Sequence, residues 1–222
     1  MCPHPDTHSD APGASPAPTG RPAPVDVAIH PLLAARWSAR GLDHDRAVAP
    51  EEVRALLEAA RWAPSNGNAQ PWRFVVADDR TPEARERLRA CLRPGNAWAR
   101  AAPVLVLTLA AREFPPREGK PPRTNPHAWH DTGAATLALA LEAAARGLVA
   151  HPMAGFDRAA AEEAVGAPAD LDAVTLVAVG YPVTDPAALP EEVAERDARP
   201  RQRRPVDESA WLGRLEGVPV RP

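Results

Sequence analysis

Apolar positions along the chain recur with two periods, and the switches between them mark out the elements. Val53, Leu56, Leu57 and Ala60 follow the i, i+3, i+4, i+7 spacing of a core-facing helical stripe. Pro50-Glu51-Glu52 ahead of them places a proline and two acids in a first turn, as sterics and the helix macrodipole favour, and Pro64 must end the helix. Trp72-Arg73-Phe74-Val75-Val76 then alternates like a strand. Thr81-Pro82-Glu83 reads as a cap, a first-turn proline and an acid, opening a helix with Ala84, Leu88, Cys91 and Leu92 inward. Val104 to Leu109 is a near-continuous apolar run, the pattern of a strand covered on both faces. The longest helix is predicted from His130 to Arg146, with Gly147 placed to cap its end. Ala134, Leu137, Ala138, Leu141, Ala144 and Ala145 make it small or apolar on several faces, so it must pack closely, either centrally or against another subunit. Asp157 reads as the cap of a short helix that Gly166 closes, and Val174 to Val179 as a further strand.

Between the first helix and the first strand lies Ala63-Pro64-Ser65-Asn66-Gly67-Asn68-Ala69-Gln70-Pro71. Each proline fixes its own φ and pushes the residue before it out of the helical region, so the loop is expected to be extended and stiff. Ser65, Asn66, Asn68 and Gln70 offer groups that both donate and accept hydrogen bonds. Such groups suit a ligand whose edge alternates donors and acceptors, and equally an ordinary polar turn that bonds its own backbone. A helix-like run from Pro31 puts Arg36 and Arg40 four residues apart on one face, where they are either two solvated arginines or the two sides of an anion site. Gly155 permits a close approach of backbone to a planar ligand. His130 and Asp131 have no serine or cysteine tied to them in sequence and read as structural or capping residues. Residues 112 to 128 lack periodicity and read as a lid or as a surface loop.

Composition narrows the class. At 222 residues, 45% hydrophobic and 25% charged, the chain suits one globular domain with tails. A net charge of -3 gives no reason to expect nucleic acid or an acidic membrane as a partner. No apolar run approaches the length of a membrane span, and the start of the chain lacks the apolar core of a signal peptide. Cys2 and Cys91 are too few for a disulfide framework, which suits a reduced cytoplasmic chain with Cys91 in the core. Residues 1–25, dominated by Pro, Ala, Ser, Asp and His, are expected to be a disordered tail, 26–206 the folded domain and 207–222 a second tail. His4 and His8 without a third ligand read as solvated, so no metal site is expected. No Gly-x-Gly-x-x-Gly turn and no Walker loop occurs.

Six pieces of the sequence resemble the FMN-dependent nitroreductase superfamily over about residues 30 to 206. The loop from Ala63 to Phe74 resembles its signature loop. Arg36-Trp37-Ser38-Ala39-Arg40 is similar to its Arg-x-Ser-x-Arg/Lys motif, with Trp37 where a basic residue or histidine is usual. His130-Asp131-Thr132-Gly133-Ala134-Ala135 resembles its His-Asp-x-Gly-x-Ala helix. Pro152-Met153-Ala154-Gly155-Phe156 is similar to its Pro-x-x-Gly-Phe segment, with Ala154 where bacterial nitroreductases often carry Glu. Val177 to Pro182 and Arg201-Gln202-Arg203-Arg204-Pro205 resemble the closing strand and the Lys/Arg-x-Arg-x-Pro phosphate motif.

The resemblance implies an α+β, three-layer α/β/α sandwich with a mostly antiparallel central sheet, built as a domain-intertwined homodimer with FMN at the interface. It implies that Arg36, Trp37, Ser38, Arg40, Pro152, Met153, Ala154, Gly155, Arg201 and Arg203 of one subunit, with Pro64, Ser65, Asn66, Asn68 and Gln70 of the other, bind the cofactor. Arg201 and Arg203 hold its phosphate, and the Gly155 backbone N–H donates to the flavin N5. The activity implied is hydride transfer from NAD(P)H, through the flavin, to a small organic acceptor such as a nitroaromatic or a quinone by a ping-pong mechanism. Two rivals stay open: a biosynthetic dehydrogenase or oxidase on the same scaffold, and a flavin-binding protein without turnover.

Overall fold

A computed structural model describes residues 21–116 and 118–220. Its sheet is built from β1 (Trp72–Ala77), β2 (Val104–Ala111), β3 (Val149–Met153) and β4 (Leu171–Gly180). The strand order is β1-β2-β4-β3, and every neighbouring pair is antiparallel. The apolar run at 104–111 is a central strand, and its alternation sorts the layers. Val104 and Val106 pack with Leu56, Ala60, Leu139 and Ala143 from α2 (Pro50–Arg61) and α4 (Ala128–Ala145). Leu105, Leu107 and Leu109 pack on the opposite face with Leu88, Phe156 and Ala161, from α3 (Pro82–Ala90), the β3–α5 connection and α5 (Arg158–Val165). On β4 the same division separates Val177 and Val179 from Leu176 and Ala178. Each fully buried leucine contributes about 1.5–3 kcal/mol of transfer free energy, so the sandwich is held chiefly from these two strands.

Helix ends follow local chemistry. The Asp157 carboxylate accepts from the Ala160 N–H (3.0 Å), and Gly166 closes α5 at φ 65°. Gly147 ends α4 at φ 73°, with the Leu148 N–H returning to the Ala143 carbonyl (2.8 Å). Thr81 does not cap α3 with its side chain as expected; its hydroxyl instead accepts from the Asp78 N–H (3.2 Å), tying the turn before the helix. Along α4 the buried face includes Ala135, Leu139 and Ala143, while Leu137 (49% exposed) and Trp129 (41%) remain on the surface. Among the described residues no helix is long and apolar enough to cross a membrane.

The expected helix through Arg40 is not there. α1 spans only Pro31–Ala35, and Arg36 leaves it at φ -57°, ψ 124°. An α-helix would pair the Ala34 carbonyl with the Ser38 N–H and the Arg36 carbonyl with the Arg40 N–H. Here Arg201 donates to both carbonyls (2.6 and 2.9 Å), and the Arg40 N–H goes to Asp197. Side chains more than 150 residues away outcompete the local ladder. Cys2, His4 and His8 lie outside the described residues. Within the described residues, the Ala23 N–H donates to the Ala34 carbonyl (2.9 Å).

Segment 112–125 is pinched at its base, where Glu113 bridges Thr124 and the Phe114 N–H donates to the Arg123 carbonyl (2.8 Å). At the other end of the chain, α6 (Glu191–Ala198) is followed by β5 (Trp211–Leu212) and β6 (Val218–Pro219), a small separate hairpin.

Candidate functional site

Coil 36–41 runs along the β3 edge of the sheet, where the His151 Nδ1 donates to the Ala39 carbonyl (2.9 Å). A carbonyl only accepts, so the proton is on Nδ1 and the Nε2 of a neutral ring is bare. Burial, followed by the charges of Arg40 and Arg36, holds His151 below its ordinary pKa, and the Ala39 bond and Asp197 oppose that shift only in part. The His151 ring packs against Trp98 at 4.6 Å between centroids.

Arg36, Arg201 and Arg203 gather on this coil. Arg36 Nη1 reaches the Ser38 hydroxyl (3.5 Å). Burial and then the Arg203 charge push the Arg36 guanidinium below its ordinary value, and burial, Arg36 and Arg203 do the same for Arg201. Among the described residues, Arg36, Arg40, Arg201 and Arg203 form no ion pair with any carboxylate. Arg40 Nε and Trp37 Nε1 are buried without an acceptor. Buried donors ordinarily find partners, and like charges gather only where an anion compensates them.

The structure separates the two arginines of the 201–205 run. Arg201 directs its guanidinium to the carbonyls of Arg21 (2.5 Å), Ala34 and Arg36, so it is a backbone clamp and not a free anion ligand. Arg203 is exposed and, among the described residues, donates only to the neighbouring Gln202 carbonyl (2.7 Å).

The segment Pro152-Met153-Ala154-Gly155 also divides. Met153 is 3% exposed in the core, which leaves only its backbone for a ligand. Pro152 and Ala154 are exposed on the other side of the edge strand, where proline is tolerated. The close approach expected at Gly155 is made by the protein itself: a Cβ there would stand 2.6 Å from Asn96 Nδ2, which donates to the Gly155 carbonyl (3.0 Å). Among the described residues the Gly155 N–H has no acceptor.

Loop 63–71 is a compact turn and not the extended segment expected. Asn66–Asn68 form a 3-10 turn; Gly67 and Asn68 within it and Gln70 just beyond it take positive φ (56°, 54° and 47°). The Ser65 hydroxyl accepts from the Gln70 N–H (3.1 Å), and Gln70 Nε2 donates to the Asn68 side chain (3.1 Å). Ser65, Asn68 and Gln70 therefore hold the shape of this turn, while Pro64, Asn66 and Asn68 stay exposed. Asp131 anchors it from α4: the buried carboxylate accepts from the Asn66 N–H (2.9 Å) and pairs with His130 Nδ1 (3.0 Å). No hydrogen bond joins this loop to the arginine coil among the described residues. Asn96, His151 and Asp197 were not singled out from sequence, because each acts on backbone atoms that its own neighbourhood does not reveal.

An antiparallel sheet between two helical layers, with guanidinium groups along its edge that pair with no carboxylate among the described residues, defines a three-layer α+β protein. The Nitroreductase family model matches residues 33–94 and 83–181. The chain belongs to that family. It is 35% identical over 162 residues to a Burkholderia lata protein named NADH dehydrogenase/NAD(P)H nitroreductase, covering 65% of this chain and 80% of that one. To the protein DrgA of Synechocystis it is 34% identical over 176 residues, 68% of this chain and 82% of the relative. A solved structure described as an oxidoreductase containing FMN superimposes with a TM-score of 0.80 at 33% identity, over 88% of this chain and 96% of that one.

Proposed function

We propose that the chain is an FMN-dependent oxidoreductase, working as a homodimer, that passes hydride from NAD(P)H to a small organic acceptor such as a nitroaromatic or a quinone by a ping-pong mechanism. The observation that carries this reading is the set of guanidinium groups without carboxylates along coil 36–41. A phosphate is the anion that Arg36 and Arg203 suit, since a planar fork binds phosphate through two parallel hydrogen bonds. When bound, FMN would supply the two-electron chemistry of hydride transfer. The residues bind and orient. Arg40 and Trp37 belong to the same coil, and the Gly155 N–H, without an acceptor among the described residues, is the donor for N5. Pro64, Asn66 and Asn68 of a second copy complete the ring site, with Ser65 and Gln70 fixing their turn. The dimer reading rests on the exposed Leu137 and Trp129 of α4, apolar surface that a monomer leaves in water. A reduced, cytoplasmic setting suits the free thiol of Cys91.

The absorbance spectrum of the purified protein tests this. Flavin bands that bleach with NAD(P)H under argon and return with a quinone or nitroaromatic are expected. A protein that binds no FMN overturns the reading. Bound flavin that NAD(P)H leaves oxidised, with oxygen uptake on an organic donor, points to a dehydrogenase or oxidase instead; Ala154 and the 112–125 segment favour that as the second reading. Light scattering should give about twice the 23.7 kDa chain mass.

A further inference from the structure

Coil 36–41 has no secondary structure of its own, yet it must present three side chains to one ligand. Its backbone is gripped from outside. Arg201 takes the carbonyls of Ala34 and Arg36, His151 that of Ala39, and Leu189 closes so near Gly41 that a Cβ there would stand 2.5 Å from its Cδ1. Asp197, near the end of α6, makes the remaining grip. Its Oδ2 accepts from the Arg40 N–H (2.9 Å) and from the Gly41 N–H (2.8 Å), and its Oδ1 also reaches the Arg40 N–H (3.0 Å).

A carboxylate beside an arginine ordinarily pairs with the guanidinium. This one pairs with the amide of Arg40 and forms no ion pair with Arg36, Arg40, Arg201 or Arg203. The backbone is thereby fixed through a charge-assisted pair of bonds while the positive charge stays available. We propose that Asp197 is a positioning residue: it clasps the backbone at Arg40 and Gly41 so that Arg36, Ser38 and Arg40 converge on the anionic cofactor. This inference rests on the FMN reading given above.

Geometry and plain Coulomb attraction predict opposite signs here. If Asp197 mattered only as a negative charge near an anion site, its removal would tighten FMN binding. If it positions the coil, removing both acceptor oxygens must weaken binding, and an isosteric amide must restore it. The experiment measures FMN dissociation constants by flavin fluorescence for the full-length wild type, Asp197→Ala and Asp197→Asn. Hydrogen exchange is followed at the Arg40 and Gly41 amides of the cofactor-free proteins. Expected are an FMN affinity about 10- to 100-fold weaker in Asp197→Ala, with fast exchange at both amides, and an affinity within about fivefold of wild type in Asp197→Asn, whose amide oxygen can accept both bonds. Equal or tighter binding by Asp197→Ala overturns the proposal, as does an Asp197→Asn protein as weak as the alanine variant. Should Asp197→Ala not fold, the asparagine variant decides alone by the same criterion. Should the wild type bind no FMN, the cofactor reading fails. The clasp itself is still judged by exchange at the two amides, slow in the wild type and fast in Asp197→Ala if it exists.

Discussion

Strands β2 and β4 and the coil at 36–41 are organised on opposite terms. The strands carry their instructions within themselves: on either side of one bulge opposite Thr108 and Leu109, side chains alternate between the layer of α2 and α4 and that of α3 and α5. The coil carries few: Ala39 and Trp37 pack into the apolar layer, but its backbone is held from elsewhere. Its shape is set by Asp197 and Arg201, 157 and 165 residues away from the groups they bind, and by His151 on the edge strand. Apolar burial is non-directional and tolerates small errors in placement, whereas each clasp on the coil depends on one hydrogen-bonding group. The core makes the protein stable; the coil gathers like charges that repel one another.

The comparison breaks most sharply with a cavity in the core. Leu107 is fully buried, so Leu107→Ala should cost about 2–5 kcal/mol of unfolding free energy. Denaturant titration measures it. Once the variant is folded, its FMN affinity should stay near that of the wild type, because Leu107 shares an apolar layer with Ala39 and Trp37 of the coil but makes none of the hydrogen bonds that hold its backbone. A comparable loss of stability and of affinity would show that core and coil are one cooperative unit.

A smaller effect separates the two arginines of the closing run. Arg203→Ala should weaken FMN about 10- to 100-fold, since a hydrogen bond to a charged group contributes roughly 1.5–3 kcal/mol, yet leave the melting temperature nearly unchanged. Riboflavin, which lacks the phosphate, should lose little further affinity in this variant. Arg201→Ala should lower the melting temperature and weaken FMN and riboflavin alike, because it frees the carbonyls that hold the coil. If the two variants behave identically, the division between clamp and anion ligand is wrong.

How far the sequence reached follows from the same contrast. The run at 104–109, the stripe of Val53, Leu56 and Ala60, and the caps at Asp157 and Gly166 were legible because periodicity and capping are local properties. Arg36 and Arg40 were expected on a helical face because nothing near them shows that Arg201 and Asp197 will take the carbonyls and N–H groups a helix needs. Met153 was placed among cofactor ligands by likeness of motif, whereas strand alternation, known only once β3 is an edge strand with fixed register, turns it into the core. Asn96 filling the space at Gly155 has no signal in sequence at all.

His151 offers the finest test, because it belongs to both regions, a side chain of the sheet edge that grips the coil. Burial holds its folded-state pKa below the ordinary value of about 6.5, so the folded protein resists protonating it while the unfolded chain does not. The sign follows from linkage: where the unfolded state binds more protons, stability rises with pH. The contribution is therefore fully present above about pH 6.5 and is lost as pH falls from there through the lower folded-state value. Protonation would also add a positive charge beside Arg36 and Arg40. His151→Asn keeps an N–H placed to donate to the Ala39 carbonyl but removes the titration. Unfolding free energies measured from pH 8 to pH 5 should show a shallower acid-side decline in His151→Asn than in the wild type, with nearly equal values at pH 8. Parallel curves would mean that other groups dominate the acid response and that the imidazole is held for its shape alone.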